Sequence, residues 1–260
     1  MISALTIAGS DSGCGAGVQA DLLAMAANGV FGVCAFASLT AQNPSGVSAV
    51  MDCGADFLRA QLESVNEYFS PRAAKTGMLY SAANIAEAAG FFERNPQIKF
   101  VCDPVMVSTS GSKLLQDDAC DMIVDRLAPL SALATPNLDE ARFILSCGEI
   151  DASNIGERAE ALSKRLGTSV LFRGGHLKGG VLTDVLSVLG GGVFFYETPR
   201  VCGVNTHGSG CTLSAAIAAR LALSEDLKTA VENAREYLLD GLKNPLKIAG
   251  QAFINHFPKK

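Results

Sequence analysis

Short uninterrupted apolar runs alternate along the chain with longer stretches of helical period. The runs fall at 4–8, 31–39, 73–75, 100–102, 132–134 and 170–172. Between them, amphipathic segments occupy 17–28, 55–68, 81–93, 117–127, 138–146 and 155–166. Strands that are apolar on both faces, each followed by a helix, predict an α/β fold. Its centre is a mostly parallel sheet with helices on both faces. The pattern changes near 181–196. There, runs at 182–189 and 193–196 flank Gly190-Gly191-Gly192, which predicts a small β-hairpin. Two helices, 211–223 and 225–242, close the chain. No repeat, low-complexity tract or linker interrupts this order, so 1–260 reads as a single domain.

Composition narrows the function classes. Of 260 residues, 48% are hydrophobic and 18% charged, which excludes a disordered chain. The formal charge is −5 and no basic run occurs, so neither nucleic acid nor an anionic membrane is expected as a partner. No apolar stretch approaches the roughly 20 residues of a membrane span. The first run lacks a basic leader, so the expected compartment is the cytoplasm. Eight cysteines are present, but no CxxC pair, and the closest two, Cys202 and Cys211, are nine apart. Zinc and disulfide-exchange chemistry lose their usual signature, and most of these thiols read as small buried apolar groups. No pair among His176, His207 and His256 has metal-ligand spacing, and His256 reads as structural.

Four segments carry candidate chemistry. The first, Gly9-Ser10-Asp11-Ser12-Gly13-Cys14-Gly15-Ala16-Gly17, follows a strand and opens a helix. A dinucleotide fingerprint would need glycine where Val18 stands, and no GK[ST] exists for a P-loop. The glycines still allow close backbone approach to a ligand. Asp21, one turn on, has a plain structural reading as a carboxylate favoured by the helix dipole. The second, Asn205-Thr206-His207-Gly208-Ser209-Gly210-Cys211-Thr212, precedes an Ala-rich helix. Free N–H groups at a helix start suit an anion, and the same field favours thiolate at Cys211. Its bland alternative is a glycine-rich helix entry with a buried cysteine. The third is Thr135-Pro136-Asn137-Leu138-Asp139-Glu140. Asn137 and Glu140 have capping-box spacing, and their functional reading is a Mg²⁺–phosphate contact through oxygen or water. The fourth, Asp103-Pro104-Val105-Met106, ends a buried strand, where parallel sheets bind ligands.

Together these segments resemble the ribokinase superfamily, and closely its hydroxymethylpyrimidine/phosphomethylpyrimidine kinase branch of thiamine biosynthesis. The motifs that carry the resemblance run in order along nearly the whole chain. They are AGSDSGCGAGVQADL from Ala8, SLTAQNPSGV from Ser38, KTGML from Lys75, DPVMV from Asp103, TPNLDEA from Thr135, GGHL from Gly174 and NTHGSGCTLSAAIAA from Asn205. The resemblance implies a ribokinase-like fold without a large lid. It implies transfer of phosphate from ATP to the pyrimidine's CH₂OH, then to the monophosphate. It assigns Gly9, Asp21, Gln42, Met78, Val105 and Val107 to the pyrimidine. Asp21 and Gln42 would bond the ring nitrogen and exocyclic amine. Gly208, Ser209, Gly210 and Cys211 would form the anion hole, with Cys211 as the base where sugar-kinase relatives carry Asp. Asp103, Asn137, Arg173 and Thr206 would face ATP, and Asn137, Glu140 and Asp103 the Mg²⁺. A homodimer is implied as well, with the 31–39 region as its apolar contribution.

The chain departs from that pattern in two places. Ser12-Gly13-Cys14-Gly15 stands where relatives carry Pro-Ser-Gly-Gly or Ser-Ser-Gly-Gly, and Arg173 stands where a Lys is frequent. The rival readings are a pyridoxal kinase of the same superfamily, whose substrate is also a heteroaromatic ring bearing CH₂OH, and a catalytically silent ligand-binding relative.

Overall fold

The computed structural model of the chain describes residues 1–106, 117–174 and 180–258. In chain order its first elements are β1 (Ser3–Gly9), α1 (Gly17–Ala27), β2 (Phe31–Asn43), β3 (Gly46–Asp52), α2 (Ala55–Phe69), β4 (Ala73–Thr76) and α3 (Ala82–Arg94). There follow β5 (Lys99–Cys102), α4 (Asp117–Met122), β6 (Leu133–Ala134), α5 (Leu138–Leu145), α6 (Ile155–Leu166) and β7 (Val170–Arg173). The last are β8 (Val181–Ser187), β9 (Val193–Pro199), α7 (Ser209–Ala222), α8 (Leu227–Lys243), β10 (Leu246–Ile248) and β11 (Gln251–Phe253).

Among the described residues, nine strands form one sheet in the order β3-β2-β1-β4-β5-β6-β7-β8-β9. The six from β2 to β7 are parallel, and β3, β8 and β9 pair antiparallel at the two edges. The period of two along each strand sends alternate residues to opposite helix layers. Leu5, Ile7, Phe100, Val170 and Phe172 pack on one side with Leu58 and Leu62 of α2, Ile85 of α3, and Ile155 and Leu162 of α6. Ala4, Ala73, Val101, Leu133 and Leu171 pack on the other with Met25 of α1, Ile217 of α7 and Val231 of α8. Both layers are needed because these strands have no polar face to leave in water.

Most predicted elements form within a residue or two. Three do not follow the pattern. The segment predicted as one helix over 117–127 is α4 continued by a π-helical turn, Ile123–Leu127, and a short 3₁₀ turn, Ala128–Leu130, containing Pro129. The strand predicted to stop at 39 runs on to Asn43 and folds back as β3, whose residues are all exposed. The β10–β11 hairpin turns through Ala249 and Gly250, both at positive φ, and carries no Asn-Gly signal. The predicted 182–196 hairpin is β8–β9. All eight cysteines are free, and Cys102 and Cys120 are the two that are buried, fewer than expected. No helix of the described residues is long and apolar enough to cross a membrane.

Candidate active site

Except for the 205–211 turn, which follows the antiparallel β9, the site-bearing segments leave the C-terminal ends of the parallel strands, where backbone amides and loop residues stand free of the ladder. After β1, the chain is organised by one side chain. Asp11 Oδ1 accepts from the Gly13 N–H at 2.8 Å, and Oδ2 accepts from Gly15 at 3.1 Å and Ala16 at 2.9 Å. Burial alone would raise this carboxyl, but His207 and the Gly13 and Ala16 amides outweigh it and hold it below the usual range. Gly9 lies against two other predicted segments. A Cβ there would stand 2.7 Å from both Met78 Cε and Ser38 Oγ. The Ser38 hydroxyl is buried with no partner among the described residues. Gly9 and Met78 are thus brought together, and Gln42 joins the same loop through Ser12 and His207.

Asp21 is elsewhere. Thr6 and Lys75 are direct partners across β1 and β4, so both project toward α1. Asp21 accepts from Thr6 Oγ1 at 2.6 Å and from Lys75 Nζ at 2.8 and 3.0 Å, and both members of the ion pair are fully buried. Burial pushes the Asp21 carboxyl up, against the pull of Lys75 and Thr6. Three donor contacts on two oxygens are the geometry of an ionised carboxylate. Lys75 stays protonated: burial opposes its charge most strongly of any single influence, but Asp21, Cys211 and Asp103 together outweigh it. The expected direct contact of Asp21 with substrate is therefore corrected. Its oxygens are enclosed and committed to Thr6 and Lys75.

The second glycine segment forms a tight turn at the start of α7. Gly208 has φ +79°, and any Cβ there would overlap the Gly15 carbonyl, so the two glycine loops interlock backbone to backbone. Ser209 N–H donates to the Thr206 carbonyl at 3.0 Å, and Thr206 itself is exposed. A Cβ at Gly210 would overlap the Arg173 guanidinium, which lies directly on the helix start. Cys211 follows. Its thiol departs from the expected lowered value: burial pushes it up to about 11. Lys75 and the Gly17 N–H favour the thiolate but do not outweigh burial, and Asp21 and Asp103 oppose it.

Beside this turn, Asp103 Oδ1 accepts from Arg173 Nη2 at 3.1 Å and Thr135 Oγ1 at 3.3 Å, and Oδ2 from Ser214 Oγ at 3.3 Å. Glu140 Oε2 lies 3.7 Å from the same guanidinium and also accepts from the Asn137 N–H at 2.8 Å. Asn137 Oδ1 in turn accepts from Asp139 and Glu140, so the capping box is complete and that oxygen is already committed. Burial pushes the Glu140 carboxyl up to about 8; Arg173 lowers it and Asp103 raises it. Once Glu140 is ionised, two carboxylates around one guanidinium leave an excess negative charge. That is a donor set a divalent cation suits, held by one or two carboxylates, water and phosphate. Among the described residues, no three acidic, His or Cys side chains converge as a ready-made cluster. Arg173 Nε is buried without a partner among the described residues, a donor available to an anion. Val105 is half-buried after Asp103; Val107 and His176 lie outside the described residues.

Three members of the site were not singled out individually in the sequence: Asp11, Lys75 and His207. All three lie inside quoted motifs, but spacing does not tell which strand face or loop partner each meets.

The family model described as phosphomethylpyrimidine kinase matches residues 11–255. A hydroxymethylpyrimidine/phosphomethylpyrimidine kinase of Rhizobium meliloti is 41% identical over 258 residues, covering 98% of this chain and 96% of its own. A crystal structure of phosphomethylpyrimidine kinase from Clostridium difficile 630 superposes with a TM-score of 0.81 at 36% identity, over 92% of this chain and 99% of its own. An ADP complex of Bacillus subtilis pyridoxal kinase gives a TM-score of 0.90 at 33% identity, over 98% and 97%. The ribokinase-like architecture is shared by both solved structures. With the family pattern spanning almost the whole sequence, the chain belongs to the phosphomethylpyrimidine kinase family.

Proposed function

We propose that the protein phosphorylates 4-amino-5-hydroxymethyl-2-methylpyrimidine with ATP, and then its monophosphate to the pyrophosphate, for thiamine biosynthesis. The observation that carries this is the interlock of the two glycine loops, which sets Cys211 at the joined starts of α1 and α7 with Arg173 across Gly210. The ring is held by Gly9, Gln42, Met78, Val105 and Val107. In each turn the substrate oxygen forms a bond to the γ-phosphorus as the bond to the β-phosphate oxygen breaks. Cys211 takes the hydroxyl proton once its own thiol is ionised. The second turn has a phosphate nucleophile, which enters the same anion hole. N–H groups at Gly208, Ser209, Gly210 and Cys211 stabilise the charge that develops on the moving phosphoryl group. Arg173 and Thr206 hold the nucleotide's phosphates, and Asp103 anchors Arg173. Asp103 and Glu140, with Asn137 holding Glu140 in place, would hold Mg²⁺, which supplies charge neutralisation on the phosphates when bound. We read the chain as one catalytic domain acting in the cytoplasm as a homodimer. The exposed Phe31, Leu39, Val50 and Met51 at the β2–β3 edge support that pairing.

The likeness to pyridoxal kinases supports a second reading in which pyridoxal is the substrate. A mass-resolved product assay separates the two. The protein is given Mg-ATP with the hydroxymethylpyrimidine, its monophosphate and pyridoxal in parallel. The expected products are the mono- and then the diphosphorylated pyrimidine, with little pyridoxal phosphate. Pyridoxal phosphate as the dominant product overturns the assignment.

A further inference from the structure

The two interlocked loops meet at one ring nitrogen. His207 Nε2 lies 3.2 Å from Asp11 Oδ2 and 3.0 Å from Gln42 Nε2. A carboxylate only accepts hydrogen bonds, and an amide nitrogen only donates them. A single imidazole nitrogen cannot satisfy both. With a proton it suits Asp11 and opposes the amide N–H; with a lone pair it suits the amide and opposes the carboxylate. Asp11 decides the matter, because it is 3% exposed and three backbone N–H groups hold its charge. A hydrogen bond to an ionised acceptor is about twice as strong as a neutral one. His207 Nε2 therefore carries the proton and shares it, as a three-centre bond, between Asp11 and the Gln42 amide oxygen.

A second contact is better satisfied by the same exchange of the amide's ends. Thr40 Oγ1 lies 2.8 Å from the Ser10 carbonyl and 3.3 Å from Gln42 Oε1, yet has one hydrogen for two acceptors. With the ends exchanged, Thr40 donates to Ser10 and accepts from the Gln42 NH₂. Only the side chain turns, because the Gln42 backbone is pinned at both ends by the Ser12 hydroxyl, at 2.8 and 2.7 Å.

We infer that His207, held by Asp11, is a positioning residue for substrate selection, which locks Gln42 with an N–H facing the ligand. The pocket then offers a donor and selects rings with an in-plane acceptor nitrogen at that place. This rests on the reading of Gln42 as a contact of the pyrimidine. Calorimetric titration of the hydroxymethylpyrimidine and of pyridoxal, without nucleotide, tests it on the wild type, Gln42→Ala, Gln42→Glu, His207→Ala, His207→Gln and the double alanine variant. Gln42→Ala and His207→Ala are each expected to weaken pyrimidine binding about tenfold, and pyridoxal binding less than about threefold. The double variant should be no weaker than either single one. His207→Gln, which keeps a donor for Asp11, should bind within about threefold of wild type. Gln42→Glu keeps the shape and the acceptor for His207 but has no donor for the ring, so it should bind as weakly as Gln42→Ala. It stays informative if loss of the imidazole impairs folding. Wild-type affinity in Gln42→Glu, or a full additive loss in the double variant, overturns the inference. Wild-type affinity in Gln42→Ala overturns the contact itself, and the inference with it. A weakened Gln42→Ala beside an unchanged His207→Ala overturns the inference alone.

Discussion

Cys211 is acted on by opposing influences. Two helix starts and a buried ammonium favour its thiolate, and burial opposes them more strongly, to a value of about 11. Alkylation by iodoacetamide follows the thiolate fraction. In a background with the exposed Cys14 and Cys202 changed to Ser, labelling of Cys211 in the free protein should rise about tenfold per pH unit from about pH 7 to 10. A plateau below about pH 8 would show that the helix ends prevail over burial. The sequence made the helix field visible through the glycines before Cys211. It could not reveal burial, because that comes from β1, β4 and α1, far away in the chain. Lys75 was hidden for the same reason. A lysine in a four-residue strand declares neither its face nor its partner, and the Thr6–Lys75 register supplies both. Lys75→Met would strand the Asp21 carboxylate in the interior and should cost about 3–5 kcal/mol in urea denaturation. Lys75→Met combined with Asp21→Leu should recover most of that. A double variant as unstable as the single one would mean that packing, not charge, is lost.

At the scale of elements, the interlock of the two loops depends on Gly208. An alanine there meets both a left-handed backbone and the Gly15 carbonyl. Gly29 has a similar φ of +78° but open space around it. Gly29→Ala should therefore cost only about 1 kcal/mol. Gly208→Ala should cost at least about 2 kcal/mol more and lower kcat/KM at least about 100-fold. Equal losses in the two variants would remove the steric argument. Element by element, the strands buried on both faces were legible because apolar runs have no other use in a chain with polar helices between them. The β3 strand was not, since both of its faces are exposed and no burial imposes alternation. The π turn after α4 was not legible either, because its apolar spacing is still close to helical. The capping box at Asn137 was legible in full: three residues set its geometry without help from elsewhere.

For the whole molecule, the C-terminal segment adds a pH-sensitive fastening. Burial lowers the His256 imidazole from the usual 6.5 to about 4, and its Nδ1 lies 3.1 Å from the Tyr237 hydroxyl of α8. The folded protein thus keeps this ring neutral while the unfolded chain protonates it. The stabilisation is complete above about pH 6.5 and is lost as pH falls through about 4, by at most about 3 kcal/mol. Urea midpoints compared at about pH 7.5 and 4.5 should fall less for His256→Gln than for the wild type. Parallel falls would assign acid sensitivity to the carboxylates instead. The order of layers was legible from the alternation of runs, but the closing of the site was not. Asp11 and His207 are 196 positions apart, and no local pattern joins them.

That separation has a consequence for synthesis. By Pro199 a growing chain has made every strand of the nine-stranded sheet, yet neither the 208–210 turn nor α7. Until α7 emerges, Ala4, Ala73, Val101, Leu133 and Leu171 have no complete cover on their side of the sheet. Substrate bound at the proposed site cannot assist at that stage, because half of that site has not been translated. The unfinished chain is therefore most prone to stick to its neighbours just before it becomes able to bind anything, and shielding by a chaperone matters most over the last quarter of translation.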